Sequence, residues 1–70
     1  MRRLSHDTIR ELRIGSLLYC RDGKVIGLVS DITEEIFFDL RWCGFQLLRV
    51  DGKEDFFWES CLIDLPDMFF

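Results

Sequence analysis

A mainly β fold, a small antiparallel barrel of five short strands preceded by a short helix, is what this sequence predicts, and three observations predict it. Two Asp-Gly pairs, Asp22-Gly23 and Asp51-Gly52, each lie between β-prone runs, and such pairs tolerate the positive φ angles that tight hairpin turns demand. Residues 36–43 alternate in the period-2 manner of a half-buried strand. Gly27 sits inside another β-prone run, where a missing side chain eases the sharp bend that a small barrel needs.

Length and composition fit one such domain. A chain of 70 residues leaves no room for a second core, and its apolar content of 49% is enough to fill one and to argue against disorder. The domain divides into an N-terminal arm with the short helix (residues 1–13), the barrel (14–65) and an apolar tail (66–70). No apolar run approaches the roughly 18 residues that span a membrane. The opening Met-Arg-Arg-Leu-Ser-His-Asp has no apolar signal segment. The expectation is a cytoplasmic protein without a membrane partner.

Within the arm, Ser5 can cap a helix over residues 6–12, with Asp7 near the positive end of its dipole. Leu4 can close onto Ile9, and Ile9 with Leu12 makes one apolar edge suited to lie across a barrel mouth. Gly15-Ser16 then releases the chain into residues 17–32, the hairpin on which the later strands build. Residues 31–35 are polar enough for a turn. A third strand follows over residues 36–43, with Ile36, Phe38, Leu40 and Trp42 inward and Phe37, Asp39, Arg41 and Cys43 outward. On that reading Phe38→Ala costs about 3–5 kcal/mol. Gly44 permits the next reversal, residues 45–50 make a fourth strand, and the second Asp-Gly turn leads into a fifth over residues 56–62. Pro66 ends the pattern and leaves Asp67-Met68-Phe69-Phe70 as the tail.

Charge divides the chain into unlike halves. Residues 1–24 carry six Lys or Arg against three acids, and residues 25–70 carry three against ten, which accounts for the net charge of −4. Phosphate contacts need a coherent basic face, so this distribution argues against nucleic acid as a partner. A solvated surface with a basic N-terminal arm accounts for it, and the sharper reading is an acidic face presented to a basic partner.

Cys20, Cys43 and Cys61 stand far apart with no Cys-x-x-Cys pair, which suits a reducing compartment and buried thiols rather than a disulfide framework. With His6 they make a nominal zinc set, but its ligands come from four separate segments without the usual close pairs. Neither a metal nor another cofactor is expected. Catalysis is not expected either: the one histidine, His6, lies in the arm, no nucleophile or phosphate-loop motif is present, and Glu34/Glu35 and Glu54/Asp55 fall where solvated charge is ordinary.

The run Ile14-Gly15-Ser16-Leu17, continued by Tyr19-x-x-Asp22-Gly23-Lys24-x-Ile26-Gly27-x-Val29-x-Asp31-Ile32, resembles the opening hairpin of SH3-like small barrels, among them the PRC-barrel, KOW and Tudor groups. The likeness covers residues 14–32 and, more loosely, Trp42 and residues 56–65. It implies a five-stranded SH3-like barrel that binds proteins, RNA or ribosomes, or serves as an adaptor. The acidic balance departs from the basic surface of the RNA-binding members.

Two functional readings follow. In the first the chain is a non-enzymatic adaptor or inhibitor, of a kind common among phage and mobile-element genes, that binds another protein with a basic rim or a second copy of itself. Its surface would comprise Phe37, one of Phe56 and Phe57, Phe69 and Phe70, rimmed by Asp39, Glu59 and Asp67, unless the tail folds back to cover that patch within the chain. In the second it is a Tudor-like or KOW-like reader of a cationic group or RNA, with Tyr19, Trp42 and Trp58 and a carboxylate from Asp39 or Glu59 forming an aromatic cage, unless these aromatics are simply core.

Overall fold

The computed structural model describes residues 1–61 and 67–70. Four antiparallel strands, β1 (Leu17–Tyr19), β2 (Val25–Phe37), β3 (Leu40–Arg49) and β4 (Glu54–Trp58), form one open sheet in chain order. The chain is therefore mainly β. The end of the expected fifth strand and the terminating Pro66 lie outside the described residues.

Both Asp-Gly turns form as the sequence predicts, with φ of 88° at Gly23 and 87° at Gly52. The aspartate does the same work in each. Asp22 Oδ1 accepts the Lys24 N–H at 3.1 Å, and Asp51 Oδ1 accepts the Lys53 N–H at 3.0 Å, so each side chain ties down the backbone two residues on. At Gly27 the β2 backbone comes so close to β3 that an added Cβ would stand 2.2 Å from the Leu48 carbonyl oxygen. The β1–β2 register shifts beside it, between Leu18 and Tyr19.

Between those turns the structure departs from the sequence reading. Residues 31–35 do not turn: β2 runs through them to Phe37 and is followed by a two-residue turn at Phe38-Asp39, with φ of 50° and 63°. Gly44 is no reversal either, since it lies inside β3. A two-residue turn shifts the phase of alternation, so counting by twos from Ile36 to Trp42 passes from the inner face, through the turn, to the outer face. Phe38, in the turn, and Leu40, on the outer face, are accordingly 97% and 58% exposed rather than buried; Ile36 keeps the inner face but is not part of the core cluster and is 70% exposed, and Phe38 has no core contact to lose.

The core forms one step further along β3. Phe45 and Leu47 pack with Leu18 of β1 and Val29 of β2, and the arm lays Leu4, Ile9 and Leu12 over them. The expected helix over residues 6–12 is shorter than predicted: only Ile9–Glu11 is helical, as one 3-10 turn. The segment entering it holds Ser, His, Asp and Thr, which bond locally in place of helical partners; the Asp7 N–H donates to Ser5 Oγ and the Ser5 N–H to Thr8 Oγ1.

The tail docks. Phe69 bridges Tyr19 on one side and Arg3 on the other, with reciprocal N–H···O bonds of 2.8 Å to Tyr19, while Arg2 and Phe70 exchange bonds of 2.8 and 2.9 Å. Met68 is buried in the core, and Asp67 pairs with both Arg3 and Arg21. A second 3-10 turn, Glu59–Cys61, follows β4. Among the described residues no helix is long and apolar enough to cross a membrane.

Candidate interaction face

Register decides which side chains share the outer face of the sheet. Phe37 stands opposite Leu40, Glu35 opposite Trp42, Thr33 opposite Gly44 and Asp31 opposite Gln46. Across the next ladder Gly44 meets Trp58, Gln46 meets Phe56 and Leu48 meets Glu54. Directly opposed residues point to the same side, so these twelve positions form one surface. It carries four aromatic rings, from Phe37, Trp42, Phe56 and Trp58, and three carboxylates, from Asp31, Glu35 and Glu54. None of the twelve is a lysine or arginine.

Gly44 is what allows the rings to lie there. A Cβ at this position would fall 2.6 Å from Phe56 Cζ and 2.9 Å from Trp58 Cε3, so the two rings occupy the volume a side chain on β3 would take. They meet edge to face at 5.0 Å between centroids, a favourable arrangement of ring quadrupoles. Trp42 and Trp58, with Phe37 and Ser60, line a groove of about 250 Å³. A neighbouring hollow of about 300 Å³ shares Trp42 and Ser60 and adds His6 and Glu59.

The other residues singled out from the sequence are placed as follows. Phe57 turns inward and packs on Phe45 at 5.5 Å, so Phe56 is the one facing out. Phe69 and Phe70 are half-buried beside β1 and the arm, with the Arg2 guanidinium 5.6 Å over the Phe70 ring. They do not join Phe37, which lies twelve residues along β2 from Val25, the partner of Tyr19. Tyr19 is for the same reason remote from Trp42, so the structure brings together two of the three aromatics of the expected cage. Asp39 is exposed in the turn. Glu59 is mostly enclosed, its Oε1 accepting the Cys43 N–H at 3.1 Å and facing Arg10 at 3.5 Å, and so it braces β3 against the arm.

Sequence reasoning missed Glu35, Asp31, Glu54 and the space over Gly44 as parts of this face. The signal available was the absence of any basic residue from Val25 to Leu40, but it gains meaning only once the register is known.

No family model, curated protein or solved structure matches this chain. Its chemistry therefore has to be read from the groups themselves. Among the described residues no three His, Cys, Asp or Glu side chains gather as metal ligands would. Cys43 lines a separate hollow of about 120 Å³ beneath the arm, and burial pushes its thiol pKa up, away from the thiolate a nucleophile requires. What the outer face offers is stacking surface beside uncompensated negative charge.

Proposed function

We propose that this chain is a non-catalytic protein-binding module that takes a basic segment of another protein on the outer face of its sheet. The fold we assign with it is a small SH3-like barrel in which the tail acts as the fifth strand; the antiparallel bridges from Phe69 to Tyr19 and Arg3 support that assignment. A reducing, cytoplasmic setting accords with the free thiols of Cys20 and Cys43.

The observation that carries the function is the composition of the outer face: aromatic rings that attract cations over their π surfaces, three carboxylates, and no positive side chain among twelve positions. A basic partner gains from both features, and an acidic one is repelled. A second reading, capture of a single cationic group, is favoured by one detail, the groove in which Trp42 and Trp58 come together.

The chain's two tryptophans both lie on this face, which makes their emission a local reporter. Titration with an arginine- and lysine-rich peptide should shift that emission with an affinity that falls as salt rises, while a glutamate-rich peptide of equal length should not. Glu35→Lys combined with Asp31→Lys should weaken binding about tenfold or more, equivalent to about 1.4 kcal/mol. Equal responses to the basic and acidic peptides would refute the assignment. A trimethyllysine peptide and a single-stranded RNA, run in parallel, separate the cation reader from an RNA binder.

A further inference from the structure

Among the described residues, the far half of β2 has a paired strand on one side only. β1 pairs with β2 no further than Leu28, and the segment before β1 reaches only Val29, through the Gly15 N–H to the Val29 carbonyl at 2.7 Å and the Val29 N–H to the Ser16 carbonyl at 2.8 Å. From Asp31 to Phe37, β3 is the sole strand beside it among the described residues.

The turn fixes which backbone groups point to the open side. In a two-residue hairpin the closing pair is hydrogen-bonded, and bonded and non-bonded pairs then alternate. Phe37, Glu35 and Thr33 therefore bond to β3, while Ile36, Glu34 and Ile32 turn their N–H and C=O groups outward. The Ile32 N–H is taken up locally by Asp31 Oδ1 at 2.9 Å. Glu34 and Ile36 make no other backbone bond among the described residues. Of the seven residues from Asp31 to Phe37 all but Thr33 are exposed, Ile32 least at 36% and Ile36 at 70%.

A long, open, partly apolar edge is a template for another strand. Charge decides which strand. β2 holds Asp31, Glu34 and Glu35 and no lysine or arginine along its whole length; Glu34 faces Arg41 of β3 at 3.9 Å, while Asp31 and Glu35 have no ion-pair partner among the described residues. Two copies set edge to edge would oppose like charges, which is unfavourable across a ladder, whereas a basic strand would meet opposite ones. We propose that the edge formed by Ile32, Glu34 and Ile36 accepts an extended basic segment of another protein as an added strand. Its lysines or arginines fall beside Asp31 and Glu35 on the outer face, and its apolar residues beside Ile32 and Ile36 on the inner one. This rests on the basic-partner reading above and adds the mode of binding.

The probe is an end-blocked, eight-residue peptide of alternating lysine and valine, together with two N-methylated versions, one methylated at every valine and one at every lysine. Alternate residues of a strand present their N–H groups to opposite edges. One methylated peptide should bind like its parent and the other at least tenfold more weakly. At saturation with the parent peptide, hydrogen exchange at the Glu34 and Ile36 amides should slow at least tenfold. Ile36→Pro removes an N–H that the β3 ladder does not use, so it should weaken binding at least tenfold while keeping the parent's circular dichroism. Should that variant fail to fold, peptide methylation and amide exchange decide without it. Equal binding of the two methylated peptides, with Glu34 and Ile36 unprotected, overturns strand addition and leaves the basic-partner function standing. A parent peptide that does not bind at all refutes both.

Discussion

At Phe38 the chain accepts two unfavourable conditions at once, a phenylalanine side chain almost wholly in water and a backbone at positive φ, where bulky residues are outliers. Left-handed backbone costs an L-residue roughly 1–2 kcal/mol, and asparagine tolerates it best after glycine. Phe38→Asn should therefore hold or raise stability, by up to about 1 kcal/mol in urea unfolding, where a core phenylalanine would lose about 3–5. Phe45→Ala is the substitution expected to show that larger loss, since Phe45 is 1% exposed at the centre of the cluster. If Phe38→Asn proved the more damaging of the two, the placement of the turn would be wrong. The sequence misleads here for a physical reason. Phe38-Asp39 contains neither the glycine nor the asparagine that usually marks such a turn, and apolar alternation continues through it without a visible break.

Among the elements, those announced by local backbone chemistry were legible and those set by packing were not. Asp22-Gly23 and Asp51-Gly52 form the hairpins read from them because positive φ is a property of the residues themselves. Gly44 was legible only as a glycine. Its role is the space it leaves for Phe56 and Trp58, and that depends on a partner strand twelve to fourteen residues away. Gly44→Ala should consequently cost about 1–3 kcal/mol, as overpacking does, and shift tryptophan emission as the ring pair moves. Chemical denaturation followed by both circular dichroism and tryptophan emission would test this. A variant that matches the parent in stability and emission would show that the rings are not fixed to the strand. The candidate face follows the same division: its aromatic members could be named from sequence, but their grouping required the β2–β3–β4 register.

Over the whole molecule, the arm, β1 and the tail hold one another. A chain ending at Asp67 loses the buried Met68 and the Phe69 bridges together. Deleting a buried methionine side chain alone costs about 2–5 kcal/mol, so thermal melting of the shortened chain should move down by many degrees, and light scattering should detect its association. Unchanged melting and mass would show that the docked tail contributes nothing. The charge asymmetry of the sequence is legible in this arrangement too, since Arg2 pairs with Glu11, Arg3 and Arg21 with Asp67, and Arg10 with Glu59. Arg2 finds Glu11 within the arm, but Arg3, Arg21 and Arg10 meet their acids only when the tail and the turn after β4 arrive, and no local pattern encodes that.

The docked tail also sets an order of events during synthesis. Leu4, Ile9 and Leu12 leave the ribosome well before Met68, one of the residues they pack against. The hairpins between them can close as they emerge, because their contacts are local, but the arm has to wait for residues 67–70. Throughout that interval its three apolar side chains are available to any neighbouring nascent chain. Arg2, Arg3 and Arg10, interleaved with them, act as gatekeepers for that period: the same charges that later pair within the fold first keep the unfolded arm soluble.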